Sequence, residues 1–264
     1  METIRPSLTL KLLALAMFIF LLAPLFLVVP ISFSADMFMK FPPSGWSVKW
    51  YAAIFADSGM IKAFRNSFFL AVTVTALSLL IAIPAAYALT RLNLRFSVAL
   101  LSFLTAPLLL PLIVLGLAIL IIFASQGLLA TYTGLTIAHL VIVLPYALRV
   151  LTTSLLGLPI VVEEAAATLG ATPLRTFRHV TLPLMLPGIV AAAALSFLVS
   201  FDEVVLSLFL TGPRMSTLPV EMYHHVERQA DPMVAAISCL LIIFTLAVVL
   251  VVDRSVGLGK TFVK

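Results

Sequence analysis

The sequence predicts an all-α polytopic membrane protein with six transmembrane helices, and three observations carry that expectation. Of its 264 residues 62% are hydrophobic and only 10% are charged, whereas roughly a quarter are charged in an ordinary soluble domain. The mean hydropathy is +1.21. The apolar residues are gathered into runs long enough to cross a hydrocarbon core of about 30 Å, which takes about 20 helical residues. A formal net charge of +5 would suggest nucleic acid in a soluble chain, but the charges sit at the ends of the apolar runs and form no basic cluster, which excludes that class. The single cysteine, Cys239, lies inside an apolar run and is read as a small buried hydrophobe, with no intramolecular disulfide.

Six spans follow in order, at about 8–31, 66–90, 97–124, 132–156, 186–210 and 233–252, making a single transmembrane domain of residues 1–264. Leu8 to Ile31 is apolar except for Lys11, longer than the 7–15 residues of a signal-peptide core, and reads as an uncleaved first helix. Ser32 to Arg65 is polar, with Asp36, Lys40, Pro42, Pro43, Asp57 and Lys62 and the aromatics Trp46, Trp50 and Tyr51, a water-exposed loop with interfacial anchors. Asn66 to Thr90 is uncharged and closed by Arg91, with Pro84 as a kink. No formal charge occurs from Phe96 to Leu148, more than twice what one span needs. Ser125-Gln126-Gly127 and the stretch from Thr131 to Gly134 divide that run into two spans, and Pro107, Pro111 and Pro145 predict kinked or broken helices. Leu186 to Leu210 is interrupted only by Asp202 and Glu203, Thr211 to Pro232 reads as a polar loop, and Met233 to Val252 closes the set.

Between the fourth and fifth spans, residues 158–185 read as an ordered structure. Glu163 to Leu169 is rich in helix formers and Gly170 follows where a helix stops at positive φ. Thr172 stands as N-cap before Pro173, and Leu174, Phe177 and Val180 share one helical face of a second short helix. Ala165, Ala166 and Gly170 let another backbone come close, and Glu163, Glu164, Arg175 and Arg178 set charges around the contact. The pattern Glu164-Ala165-Ala166, Gly170, Val180, Leu182-Pro183 resembles the EAA loop of the permease subunits of binding-protein-dependent ABC importers, with Val where Ile is commoner. The fragment from Phe41 to Tyr51 is similar to that family's first external loop, and Ser200 to Val205 with Thr211-Gly212-Pro213 and Thr217-Leu218-Pro219 is similar to the spermidine/putrescine permease class.

That resemblance implies a type I importer architecture. The loop is then the ATPase-coupling element, made of Glu163, Glu164, Ala165, Ala166, Gly170, Arg175, Leu182 and Pro183. The implied partners are two copies of an ABC ATPase, a second permease of different sequence and an extracytoplasmic solute-binding protein. The chain is expected not to be an enzyme and to hold no cofactor, ATP and Mg belonging to the ATPase. The Lys and Arg distribution sets the orientation in a bacterial inner membrane. With a cytoplasmic N-terminus, Arg5, Lys11, Arg91, Arg95, Arg149, Arg175, Arg178, Arg254, Lys260 and Lys264, ten of sixteen, share one side with both termini and the loop.

Asp202 and Glu203 form the candidate substrate pathway. An acid at mid-bilayer costs on the order of 2.5–3.5 kcal/mol, so adjacent acids need a reason. On a helix starting near Pro187 they lie roughly 23 Å along it, in the outer half of the core. They can attract a cationic substrate, a polyamine such as putrescine or spermidine by the resemblance, or serve as interhelical partners. No metal site is expected. His224 and His225 near Glu221 lack a second ligand cluster and read as a solvated face, and His139 reads as a hydrogen-bonded core histidine. Gly257-Leu258-Gly259-Lys260-Thr261 lacks the first glycine and the strand of a phosphate-binding loop. Two rivals are weighed: a secondary transporter or channel for a small cation, which needs no docking loop, and an intramembrane enzyme, for which no constellation of nucleophile, base or metal is present.

Overall fold

The structure, a computed structural model, describes residues 7–92 and 94–256. Arg5, Lys260, Lys264 and the Gly257–Thr261 stretch lie outside the described residues. Among the described residues there are helices and isolated bridges but no strand. The chain divides into two compact units, Met1–Ile61 with Met222–Phe244, and Lys62–Glu221 with Thr245–Lys264.

In the first unit, α1 (Leu8–Ser32) starts at Ser7, whose hydroxyl accepts from the Leu10 amide. Its apolar stretch has no residue buried inside the chain, as for a helix whose solvent is lipid. The loop after it is tied down by polar contacts. Asp36 accepts from the Ser44 amide and from the Ser34 and Ser44 hydroxyls, Lys49 Nζ donates to the Ala35 carbonyl at 2.6 Å, and the Tyr51 hydroxyl donates to Ser32 Oγ at 2.8 Å. The loop carries a short helix, α2 (Lys49–Ala56), and α3 (Ser58–Arg91) begins eight residues before the predicted Asn66, because Asp57 caps it through the Gly59 and Met60 amides.

In the second unit, α3 continues through Pro84 without a break. The third predicted span is two helices, α4 (Ser97–Thr105) with its 3₁₀ continuation to Leu109, and α5 (Leu112–Gln126), bent by 96°. Pro107 and Pro111 cause the bend. Each lacks an amide donor, and Leu110 before Pro111 is extended at φ −88° and ψ 139°, as the clash with a following proline ring requires. Gly127 ends α5 at φ +68°, and Thr131 caps α6 (Tyr132–Leu156) by accepting from the Gly134 amide, so the two predicted loop signals stand where expected.

Helix α6 is the axis of this unit, with most of its apolar stretch buried inside the chain. Leu135, Ile142, Leu148, Leu151 and Leu155 fill two core clusters with residues of α3, α5 and the fifth span. Short helices α7 (Val161–Thr168) and α8 (Pro173–Thr176) follow. The second of them does not stop: a π-turn at Phe177–Thr181 carries it into α9 (Leu182–Phe201), giving one 29-residue helical segment from Pro173 to Phe201. The π-turn has a cause in Pro183, whose ring clashes with the carbonyl four residues earlier in a regular α-helix.

The expected unbroken helix at 186–210 is interrupted at the far end. It ends at Phe201, and Val205–Leu210 forms a separate α10. The predicted polar loop 211–232 contains α11 (Leu218–Arg228), and α12 (Met233–Val256) is the last helix among the described residues. In the first unit Asp231 caps α12 through the Met233 amide and pairs with His225 Nε2 at 3.1 Å. His225 is therefore a mostly buried structural partner, and of the expected solvated pair only His224 is exposed. Among the described residues, five helices are long and apolar enough to span a membrane, or six with the bent α4–α5 pair counted once.

Candidate functional site

Two places in the second unit carry the predicted site residues, a knob at 158–185 and the break at 202–204. The knob begins with α7, whose first turn holds Glu163 and Glu164 where the helix N-terminus favours negative charge. Its end is a Schellman motif. The Ala171 amide donates to the Ala166 carbonyl at 3.1 Å and the Gly170 amide to the Ala167 carbonyl at 2.9 Å, with Gly170 at φ +84°. A Cβ at Gly170 would meet nothing within 4 Å, so inside the chain glycine is required by backbone conformation and not by space.

Thr172 has the extended backbone of an N-cap before Pro173, but its side chain makes no capping hydrogen bond. Phe177 packs its ring against Tyr87 of α3 at 4.9 Å, while Leu174, expected on the same face, is 76% exposed. Leu169 is 89% exposed, and Val161, Glu164, Ala165, Arg175, Arg178 and Pro183 are also exposed; Ala166 and Leu182 are half-buried. Large apolar residues held at the surface of an ordered element beside charges of both signs mark an interaction site. Of the predicted charged loop residues Glu163, Glu164, Arg175 and Arg178, Glu163 turns inward, with Oε1 accepting from Arg91 Nε at 3.1 Å. The knob is thus divided into an inner acid and an outer one.

The second place is the break between α9 and α10. Asp202 and Glu203 are not consecutive residues of one helix: Asp202 is the C-cap of α9 and is exposed, and Glu203 is 9% exposed. Glu203 Oε1 accepts from the Leu206 amide at 2.7 Å, satisfying an orphan donor of α10. Glu203 also lines a cavity of about 200 Å³ with Pro107, Leu108, Leu110, Leu112, Ile142, Tyr146 and Val199. The α4–α5 bend, the middle of α6 and the α9–α10 break therefore converge on one acid in an apolar setting, as broken helices do around binding sites in transporters.

His139 of α6 is completely buried, and its Nδ1 and Nε2 lie 3.0 Å and 3.1 Å from the hydroxyls of Ser200 and Ser207. It is the hydrogen-bonded core histidine the sequence suggests, and it clips α9 to α10 across the break. Sequence reasoning missed Tyr146, which has no signal in an apolar run, and the partnership of Arg91, which looks like any cation closing a span. Among the described residues no group of three or more His, Cys, Asp or Glu could hold a metal ion.

A helical, multi-pass membrane protein with an ordered, exposed knob at 158–185 and a proline-broken interior is the class these features define. Residues 78–258 match the family described as binding-protein-dependent transport system inner membrane component, and the chain belongs to it. It is 31% identical over 236 residues to the putrescine transport system permease protein PotI of Escherichia coli, covering 85% of this chain and 82% of that one. To the spermidine/putrescine transport system permease protein PotC of the same organism it is 29% identical over 235 residues, covering 89% of each. The fold is similar to a chain of a bacterial ABC transporter involved in the import of the acidic polysaccharide alginate, with a TM-score of 0.67, 16% identity and 99% and 100% of the two chains covered. It is also similar to a chain of the MetNI methionine ABC transporter, with a TM-score of 0.63, 20% identity and coverage of 75% and 94%. Family membership sets aside the secondary transporter and channel readings: the chain is an ABC importer permease subunit.

Proposed function

We propose that the chain imports a small aliphatic polyamine, putrescine or spermidine, using ATP hydrolysed with Mg on a separate ATPase subunit. The observation that carries the substrate is Glu203 at the α9–α10 break, set against an apolar cavity. A carboxylate beside a narrow apolar wall suits a methylene chain ending in an ammonium group. The substrates in the names of PotI and PotC agree with this. Asp202, exposed at the same break, adds negative potential along the passage.

In this reading two ATPase copies sit beneath this permease and a second permease of different sequence, and a solute-binding protein delivers substrate from the other side of the inner membrane. Both termini and the knob face the cytoplasm, following the Lys and Arg bias. The knob is the coupling element: Leu169, Leu174, Glu164, Arg175 and Arg178 meet the ATPase, and nucleotide-driven closure of the ATPase pair moves α7 as a rigid body. The spans then exchange one open side for the other.

The test is substrate-stimulated ATPase activity of the reconstituted complex with its binding protein. Gly170→Asp is expected to abolish stimulation in a complex that still assembles, and normal stimulation would sink the coupling role. Asp202→Asn with Glu203→Gln is expected to lose the response to putrescine; a wild-type response would make the acids structural.

A further inference from the structure

Arg91 is the last residue of α3, and its side chain is 8% exposed. A buried guanidinium has to satisfy its donors and its charge. Nε donates to Glu163 Oε1 at 3.1 Å, and Nη2 donates to the Leu155 and Leu158 carbonyls, each at 3.0 Å. Those carbonyls stand at and just beyond the C-terminal end of α6, where a cation is favoured, and the Leu155 carbonyl also accepts from the Leu158 amide at 3.1 Å. One side chain thus joins the end of α3, the end of α6 and the first turn of α7.

Helix α7 has no buried residue of its own, so apolar burial does not anchor it. Among the described residues, Glu163 is the α7 side chain that hydrogen-bonds to a span. Glu164, the next residue, is exposed and free to face a partner.

We infer that the Arg91–Glu163 ion pair is the strut that carries movement of the docking helix into the second and fourth spans, which makes Arg91 a positioning residue for coupling. This rests on the proposed docking role of α7. The planar guanidinium is what allows three acceptors on two chain segments to be held at once; a lysine ammonium in its place reaches fewer of them and leaves the helix free to tilt. When the ATPase surface moves α7, a firm joint moves α3 and α6 with it, and a loose one absorbs the displacement in the loop at Gly157–Ile160.

The experiment uses the complete importer complex in nanodiscs, with its binding protein and putrescine, and reads the ratio of stimulated to basal ATPase activity. Arg91→Lys and Glu163→Gln are compared with Gly170→Asp. Each of the first two is expected to lower the ratio by roughly two- to thirtyfold, with basal hydrolysis retained in Arg91→Lys. The double variant is expected to be no worse than the weaker single, because both break the same joint. A wild-type ratio in both singles, with Gly170→Asp uncoupled, overturns the strut and leaves the docking role standing. A wild-type ratio in all three overturns the docking role and the strut together. Additive losses, or equal loss of basal and stimulated activity in Arg91→Lys, overturn the strut in favour of plain destabilisation.

Discussion

Replacing Gly170 separates two reasons for a glycine at the end of α7, the proposed docking helix. Its φ of +84° costs an L-residue about 1–2 kcal/mol, and no heavy atom lies within 4 Å of where a Cβ would stand, so within the chain nothing adds to that cost. Gly170→Ala should therefore lower the population of the Schellman-closed knob by about 5- to 30-fold relative to its frayed form. Gly170→Asn should cost less despite its larger side chain, because asparagine adopts the left-handed region more readily, and Gly170→Val should cost most. Stimulated ATPase activity of the complex is expected to rank Gly, Asn, Ala, Val, and protease sensitivity of the isolated chain between Thr168 and Thr172 to rank in reverse. If Asn proves worse than Ala in ATPase stimulation, the glycine is there to admit the partner's backbone and the conformational reasoning is wrong.

Three further predictions concern the break and its support. His139→Leu leaves Ser200 and Ser207 without their shared partner and should cost about 2–4 kcal/mol; adding Ser200→Ala and Ser207→Ala should recover part of it in a detergent melting curve, and no recovery would refute the clip. Glu203→Ala removes the acceptor at the Leu206 amide and should destabilise by about 1 kcal/mol more than Glu203→Gln, whose carbonyl keeps that bond; equal melting temperatures would deny the cap. A Cβ at Gly188 would overlap Ser154, so Gly188→Ala should fall at the upper end of roughly 1–3 kcal/mol. Adding Ser154→Gly should restore most of that, since a helical glycine costs only about 1 kcal/mol; a double variant less stable than Gly188→Ala would refute the close approach of α6 and α9.

How far the sequence reached is clearest where a residue's constraint is local. Gly170, Gly127 and the Pro107–Pro111 pair act through their own backbone and Thr131 through a side-chain cap three residues along, and each stands in the structure at the boundary or bend it predicts. Leu174 and Phe177 show the limit. Helical spacing puts them on one face, but the π-turn forced beside Pro183 and the position of Tyr87 leave one in contact and the other exposed. The acids at 202 and 203 were legible as anomalous, while the break that parts them was not, since no proline or glycine marks it.

By itself the sequence determined the all-α membrane class, the approximate spans and the knob with its glycine stop, because apolar run length, proline geometry and positive φ are set by the chain's covalent chemistry and by the bilayer. Only the tertiary structure decided which acid of each adjacent pair is committed. Glu163 is held by Arg91 and Glu203 by the α10 amides, leaving Glu164 and Asp202 exposed. The physical reason is that neighbouring carboxylates are chemically alike in sequence, and only partners brought from 72 residues away, or from a backbone turned by a helix break, make them differ.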